Sequence, residues 1–155
     1  MLEIERKYLV VNDGSWRAQV ARSEEMDQGY LCELPTVRVR RVGKDLAFLT
    51  IKGPATNISR AEFEYAIDPE EAQIMLDTLC LPGRIKKVRH HLHPFHGKLW
   101  TIDEFHLDNQ GLLLAEIELE SEEEPFELPD WAIEEVSHDP RYRNSSLARS
   151  PFSSW

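Results

Sequence analysis

The sequence predicts an α+β fold, mostly antiparallel strands covered by a few helices. Two observations carry this: polar and apolar residues alternate with period two through most of the chain, and a single strong helix signature interrupts them. No internal repeat, low-complexity tract or linker divides the 155 residues, so one compact domain over 1–155 is expected, long enough to bury a core.

In chain order, the first strand spans residues 2–10, where Glu3, Glu5 and Lys7 share one face and Leu2, Ile4, Tyr8 and Val10 the other. Residues 15–23 read as a short helix capped by Ser15. Strands follow at 37–41, with Arg38 and Arg40 opposite Val37 and Val39, and at 46–52, with Lys52 opposite Leu49 and Ile51. In 60–67, Glu62 and Glu64 alternate with Ala61, Phe63 and Tyr65. Asp68–Pro69 then marks an N-cap and first helical residue, Glu70 and Glu71 suit the first turn, and Ala72, Met75, Leu76 and Leu79 form an apolar stripe ended by Pro82–Gly83. Further strands are expected at 85–92, with Lys87 and Arg89 on one face, at 99–105, with Asp103 opposite Trp100 and Ile102, and at 113–120, with Glu116, Glu118 and Glu120 opposite Ala115, Ile117 and Leu119. Ser121 and Glu124 resemble a capping box opening a short turn. Asp139–Pro140 starts a C-terminal helix through Tyr142, Arg143 and Leu147, and residues 149–155 read as a loose tail.

Composition narrows the function. No apolar run is long enough for a transmembrane helix, and the N-terminal stretch lacks the basic-then-apolar pattern of a signal peptide, so a cytoplasmic protein is expected. Cys32 and Cys80 lack metal-like spacing and read as thiols in a reducing compartment. The net charge of −10 disfavours nucleic acid and anionic membranes, yet nine of the eighteen basic residues fall in Arg38–Lys52 and Arg84–Arg89. A cationic site within an acidic protein is therefore expected.

A sheet with one solvated face also alternates. Here, however, the strands supply same-sign pairs: Glu3/Glu5, Glu62/Glu64 and Glu116/Glu118, against Arg38/Arg40. Like charges in close array destabilise a fold unless something neutralises them. Clustered carboxylates suit a hard divalent cation such as Mg²⁺ or Mn²⁺, and clustered guanidiniums suit phosphate oxygens. Both together point to a metal-bound polyphosphate. Rolling the strands into a barrel would turn the charged face into a tunnel. The four histidines of 90-HHLHPFH-96 have no carboxylate partner or helical spacing in the sequence and read as the approach to a hairpin, not as a metal site.

The series EIERK (3–7), QGYL (28–31), VRVR (37–40), LTIK (49–52), EFE (62–64), KVR (87–89), DEF (103–105) and EIE (116–118), closed by RYRN (141–144), resembles the successive tunnel strands and C-terminal helix of the CYTH superfamily, the triphosphate tunnel metalloenzymes. The resemblance spans nearly the whole chain and implies an eight-stranded antiparallel β-barrel acting on triphosphates with metal. It implies that Lys7, Arg38, Arg40, Lys52, Lys87, Arg89 and Arg143 bind phosphate, and that Glu3, Glu5, Glu62, Glu64, Asp103, Glu116 and Glu118 bind or orient Mg²⁺ or Mn²⁺. Glu5 or Glu118 would orient the attacking water, and Tyr30 is the proton acceptor proposed for small members. A phenol ordinarily titrates near ~10 and needs neighbouring cations to serve as a base. Inorganic tripolyphosphate hydrolysis is the leading expectation. An adenylate cyclase or thiamine triphosphatase of the same fold and a non-catalytic polyphosphate-binding module are the alternatives, and a homodimer is expected from relatives.

Overall fold

The computed structural model describes residues 1–155. Nine strands form: β1 (Leu2–Val10), β2 (Val20–Cys32), β3 (Thr36–Val42), β4 (Leu46–Lys52), β5 (Ser59–Ala66), β6 (Ile85–Leu92), β7 (Trp100–Phe105), β8 (Leu113–Glu118) and β9 (Ala132–Glu135). The α-helices are α1 (Pro69–Thr78) and α2 (Asn144–Arg149). Neighbouring strands run β5-β4-β3-β2-β6-β7-β8-β1, all antiparallel, and β1 pairs back onto β5 with Glu3 opposite Arg60. Eight strands thus close into the expected barrel. β9 adds only a short pairing beside Tyr8 and Val10.

Closure converts the period-two pattern into an inside and an outside, because a one-residue slip in any strand would exchange the two. Outward apolar residues are covered in two places. Tyr8, Trp100 and Ile117 pack with Trp16, Phe126 and Trp131, and Trp100 meets Tyr8, Phe126 and Trp131 edge to face, with a centroid distance of 5.4 Å to Trp131. Val39 and Ala47 lie beneath Ala72 and Leu76 of α1. That helix starts as its sequence dictates: the Asp68 carboxylate accepts from the N–H groups of Glu70 and Glu71.

The inward positions change character along each strand. Ile85 on β6, Phe105 on β7, Leu112 just before β8 and Leu114 near its start pack against Tyr142 and Leu147 of the C-terminal segment. This apolar plug fills one end of the barrel, and burying each large aliphatic side chain there contributes roughly 1.5–3 kcal/mol. Gly83 permits the close approach: its φ is +97°, and a Cβ there would lie 1.7 Å from the Ala148 carbonyl oxygen.

Four expectations change. Residues 15–23 are not one helix: a 3₁₀ turn spans Ser15–Gln19 after Gly14 (φ +77°), Ser15 bonds back to Asp13 rather than capping, and the thirteen-residue β2 begins at Val20. The C-terminal helix is split, because Arg143 adopts extended backbone between a 3₁₀ turn at Pro140–Tyr142 and α2. Residues 149–155 are packed rather than loose, with Trp155 edge-on to Tyr142 and Phe152 and the Phe152 N–H donating to Asn109. His90 and His91 do have carboxylate partners, Glu104 and Glu24, contributed by other strands. No helix is long and apolar enough to cross a membrane.

Candidate active site

The barrel encloses a cavity of about 680 Å³ lined by 24 residues, of which only Tyr30, Leu99 and Leu119 are hydrophobic. Thirteen of the expected site residues line it: Glu3, Glu5, Lys7, Tyr30, Arg38, Arg40, Lys52, Glu62, Glu64, Lys87, Arg89, Glu116 and Glu118. Pairing explains how residues so distant in sequence converge. Glu5 lies directly opposite Glu118 and Lys7 opposite Glu116 on β8, Arg38 opposite Tyr30 on β2, and Lys52 opposite Glu62 on β5.

Two expected residues are placed elsewhere. Asp103 does not line the cavity: it is fully buried in the wall, its carboxylate 2.7 Å from Lys87 Nζ and 2.8 Å from both Arg89 Nε and Nη2. Its oxygens are occupied in holding two cations, an anchoring position. Arg143 is exposed and lines a separate side cavity of about 50 Å³ with Glu3, Glu5, Lys7 and Arg60.

The cavity also holds residues that sequence reading passed over. Arg60 lines both cavities and donates from Nε and Nη2 to the Gly53 carbonyl. Its signal was present, since Arg60 has the same parity on β5 as Glu62 and Glu64. Gln28, fully buried, donates to the Tyr30 hydroxyl and to Asn144 Oδ1 (both 3.2 Å) and accepts from Arg40 Nε at 2.9 Å. Asn144, the first residue of α2, also accepts from Lys87 Nζ at 2.9 Å. No periodic pattern marks such neutral amides.

The electrostatics is unbalanced at two places. Burial, reinforced by Glu116, raises the Glu5 carboxyl from 4.5 to about 7, and the nearest cation, Lys7, is 3.9 Å away. Glu118 has no cationic partner. On the opposite wall burial lowers Arg40 to about 9, with Arg38 and Arg89 adding repulsion. Arg38, itself buried, donates to Thr50 at 3.1 Å but leaves its Nε without an acceptor. Burial likewise lowers the Lys87 ammonium to about 7 despite Asp103. Burial opposes ionisation of Asp103, but Arg89 and Lys87 outweigh it and hold its carboxyl well below the usual range. One cavity therefore lacks positive charge on one side and negative charge on the other.

The CYTH domain pattern matches residues 1–150. The chain belongs to the CYTH domain family. Among CYTH relatives it is 43% identical over 152 residues to an inorganic triphosphatase of Acetivibrio thermocellus, covering 97% of this chain and 95% of that one. It is 37% identical over 158 residues to an inorganic triphosphatase of Nitrosomonas europaea, covering 97% and 99%. The crystal structure of an inorganic triphosphatase superposes with a TM-score of 0.67 at 32% identity, covering 96% of this chain and 95% of that one.

Proposed function

We infer that this chain is a metal-dependent triphosphatase that hydrolyses inorganic tripolyphosphate to pyrophosphate and orthophosphate. The observation that carries the reading is the paired deficit in one cavity: the buried Arg40 guanidinium, crowded by Arg38 and Arg89, needs an anion, and Glu5 needs a cation. A metal-complexed polyphosphate supplies both.

Donor chemistry fits a hard divalent ion, since every anionic group facing the cavity is a carboxylate and no thiolate is present. As placed, no three acidic, histidine or cysteine side chains converge on one point. Glu3 and Glu62 are turned to Lys52, and Glu64 to Thr50 and Arg38. Glu5 and Glu118, cross-strand partners and the least engaged, would hold Mg²⁺ or Mn²⁺, with Glu3, Glu62, Glu64 and Glu116 reaching it directly or through water. A metal held there would supply positive charge against the phosphoryl oxygens and the leaving group.

Lys7, Arg38, Arg40, Lys52, Lys87 and Arg89 grip the phosphate oxygens, with Arg60 a seventh cation. Asp103 holds Lys87 and Arg89 in position, so two of these cations cost no reorganisation when charge develops. The Tyr30 hydroxyl already accepts from Gln28, so its own O–H is left to donate to a phosphate oxygen. That geometry favours a ligand contact over the proton-acceptor role. Glu118, without an ion-pair partner, is the carboxylate best placed to orient the attacking water.

The test is a substrate panel with Mn²⁺: tripolyphosphate, thiamine triphosphate and ATP, with orthophosphate and cyclic AMP both measured. Orthophosphate released chiefly from tripolyphosphate supports the reading. Cyclic AMP from ATP would replace it with a cyclase, and binding of all three without product would leave a binding module.

A further inference from the structure

The inward side chains of β6 form a row: Ile85 in the apolar plug, then Lys87, Arg89 and His91 facing the cavity. Alternate positions on a strand stand about 6.7 Å apart. His91 is therefore one step beyond Arg89, toward the β6–β7 hairpin and away from α2. Its neighbour His90 points outward and is enclosed, with Nδ1 2.7 Å from Ser23 Oγ, Nε2 3.0 Å from Glu104 and the ring against Trp16. His91 differs. Its Nε2 is 2.6 Å from Glu24 Oε2, and Glu24 is 2.9 Å from Arg22 Nη1. A carboxylate only accepts, so Nε2 carries the hydrogen, and Nδ1 has no hydrogen-bond partner in the protein.

The groups around this end of the cavity leave His91 a distinct place. Burial opposes ionisation of Glu24, but its hydrogen bonds to His91 and Arg22 outweigh that and hold its carboxyl below the ordinary range. Thr101, directly opposite on β7, is uncharged, and the Lys98 ammonium is paired with Glu124. Glu118 and Glu120 supply negative charge on the β8 side. The ring is thus oriented by a carboxylate through one nitrogen, and its other nitrogen is uncommitted beside a tunnel built for phosphate.

We propose that His91 is a further substrate-contacting residue: held through Nε2 by Glu24, it donates from protonated Nδ1 to the outermost phosphate of a bound polyphosphate. It thereby favours a ligand whose outer end is bare phosphate over one capped by a nucleoside. This inference rests on the triphosphatase reading for its substrate, and not on the metal.

The test measures kcat and KM for tripolyphosphate and ATP in wild type, His91→Ala and His91→Lys at pH 6 and pH 8.5, with tripolyphosphate binding in EDTA followed by calorimetry. Nε2 already carries one hydrogen, so Nδ1 donates only from a ring that bears both, a form that the lower pH favours. At pH 6, His91→Ala raises KM for tripolyphosphate about tenfold, the effect of one lost charge-assisted hydrogen bond, with kcat within about twofold. The KM for ATP changes less, the penalty shrinks at pH 8.5, and His91→Lys restores tight binding at both. A folded His91→Ala protein with unchanged KM at pH 6, or with equal rises for both substrates, overturns the proposal. Should wild type fail to turn over tripolyphosphate, the triphosphatase reading fails alone. Calorimetry then decides for His91: binding about tenfold weaker in His91→Ala upholds the contact, and equal binding overturns it.

Discussion

Replacing Glu5 by Gln makes the metal-free protein more stable while removing its activity. The carboxyl titrates at about 7 in the fold against an ordinary 4.5, because burial and Glu116 oppose its charge more strongly than Lys7 supports it. Between those values the native state binds the extra proton, so stability falls as pH rises through this window, and the cost is complete above about 7. At 1.36 kcal/mol per pH unit, the gap corresponds to roughly 3 kcal/mol. The side chain retains 23% exposure, and solvent screening reduces the expected effect to about 1–2 kcal/mol. Urea denaturation in EDTA reads it directly: Glu5→Gln gains that much at pH 8, and the gain fades toward pH 4.5, where wild type is itself protonated. Saturating Mn²⁺ then stabilises wild type more than the variant. A Glu5→Gln protein no more stable than wild type at pH 8 would refute the reasoning, because Lys7 would already neutralise the carboxylate and the cavity would have no need of a cation.

Asp103→Asn takes the buried carboxylate from Lys87 and leaves Arg89 only Glu116, 3.5 Å away, and is expected to cost about 3–5 kcal/mol in urea denaturation. Arg40→Gln relieves crowding among like charges, so Tm holds or rises, while kcat/KM for tripolyphosphate falls roughly 10- to 100-fold through one lost charged contact. Gly83→Ala drives a Cβ into the Ala148 carbonyl at a left-handed φ, and is expected to detach α2 at a cost of about 2 kcal/mol or more, visible as faster proteolysis behind Tyr142.

The strands that carry the tunnel were legible because each sets a charged face against an apolar one. β1, β4 and β6 occupy the expected boundaries, and β3, β5, β7 and β8 differ by one or two residues. β2 was visible only in its QGYL portion. Its outward positions include Ala21, Ser23, Glu25 and Asp27, so neither face is continuously apolar and the period-two signal disappears. β9 is four residues long and exists by pairing with β1, a long-range contact without local pattern. Likewise the alternation at 37–41 and 62–64 showed which residues share a face, but barrel closure determines which carboxylate meets which cation. Asp103 illustrates this: the resemblance implies a carboxylate that binds or orients metal, whereas β6, paired beside it, supplies both of its partners. Gln28 and Asn144 are neutral amides 116 residues apart, joined only when the C-terminal segment crosses the end of the barrel.

A cavity that accepts metal and polyphosphate together turns over tripolyphosphate only with metal. Orthophosphate release from tripolyphosphate by the purified protein, in Mg²⁺, in Mn²⁺ and in EDTA, tests it most directly. Turnover with either metal that stops in EDTA is the predicted result. Turnover that continues undiminished in EDTA, or none under any of the three conditions, would contradict the account.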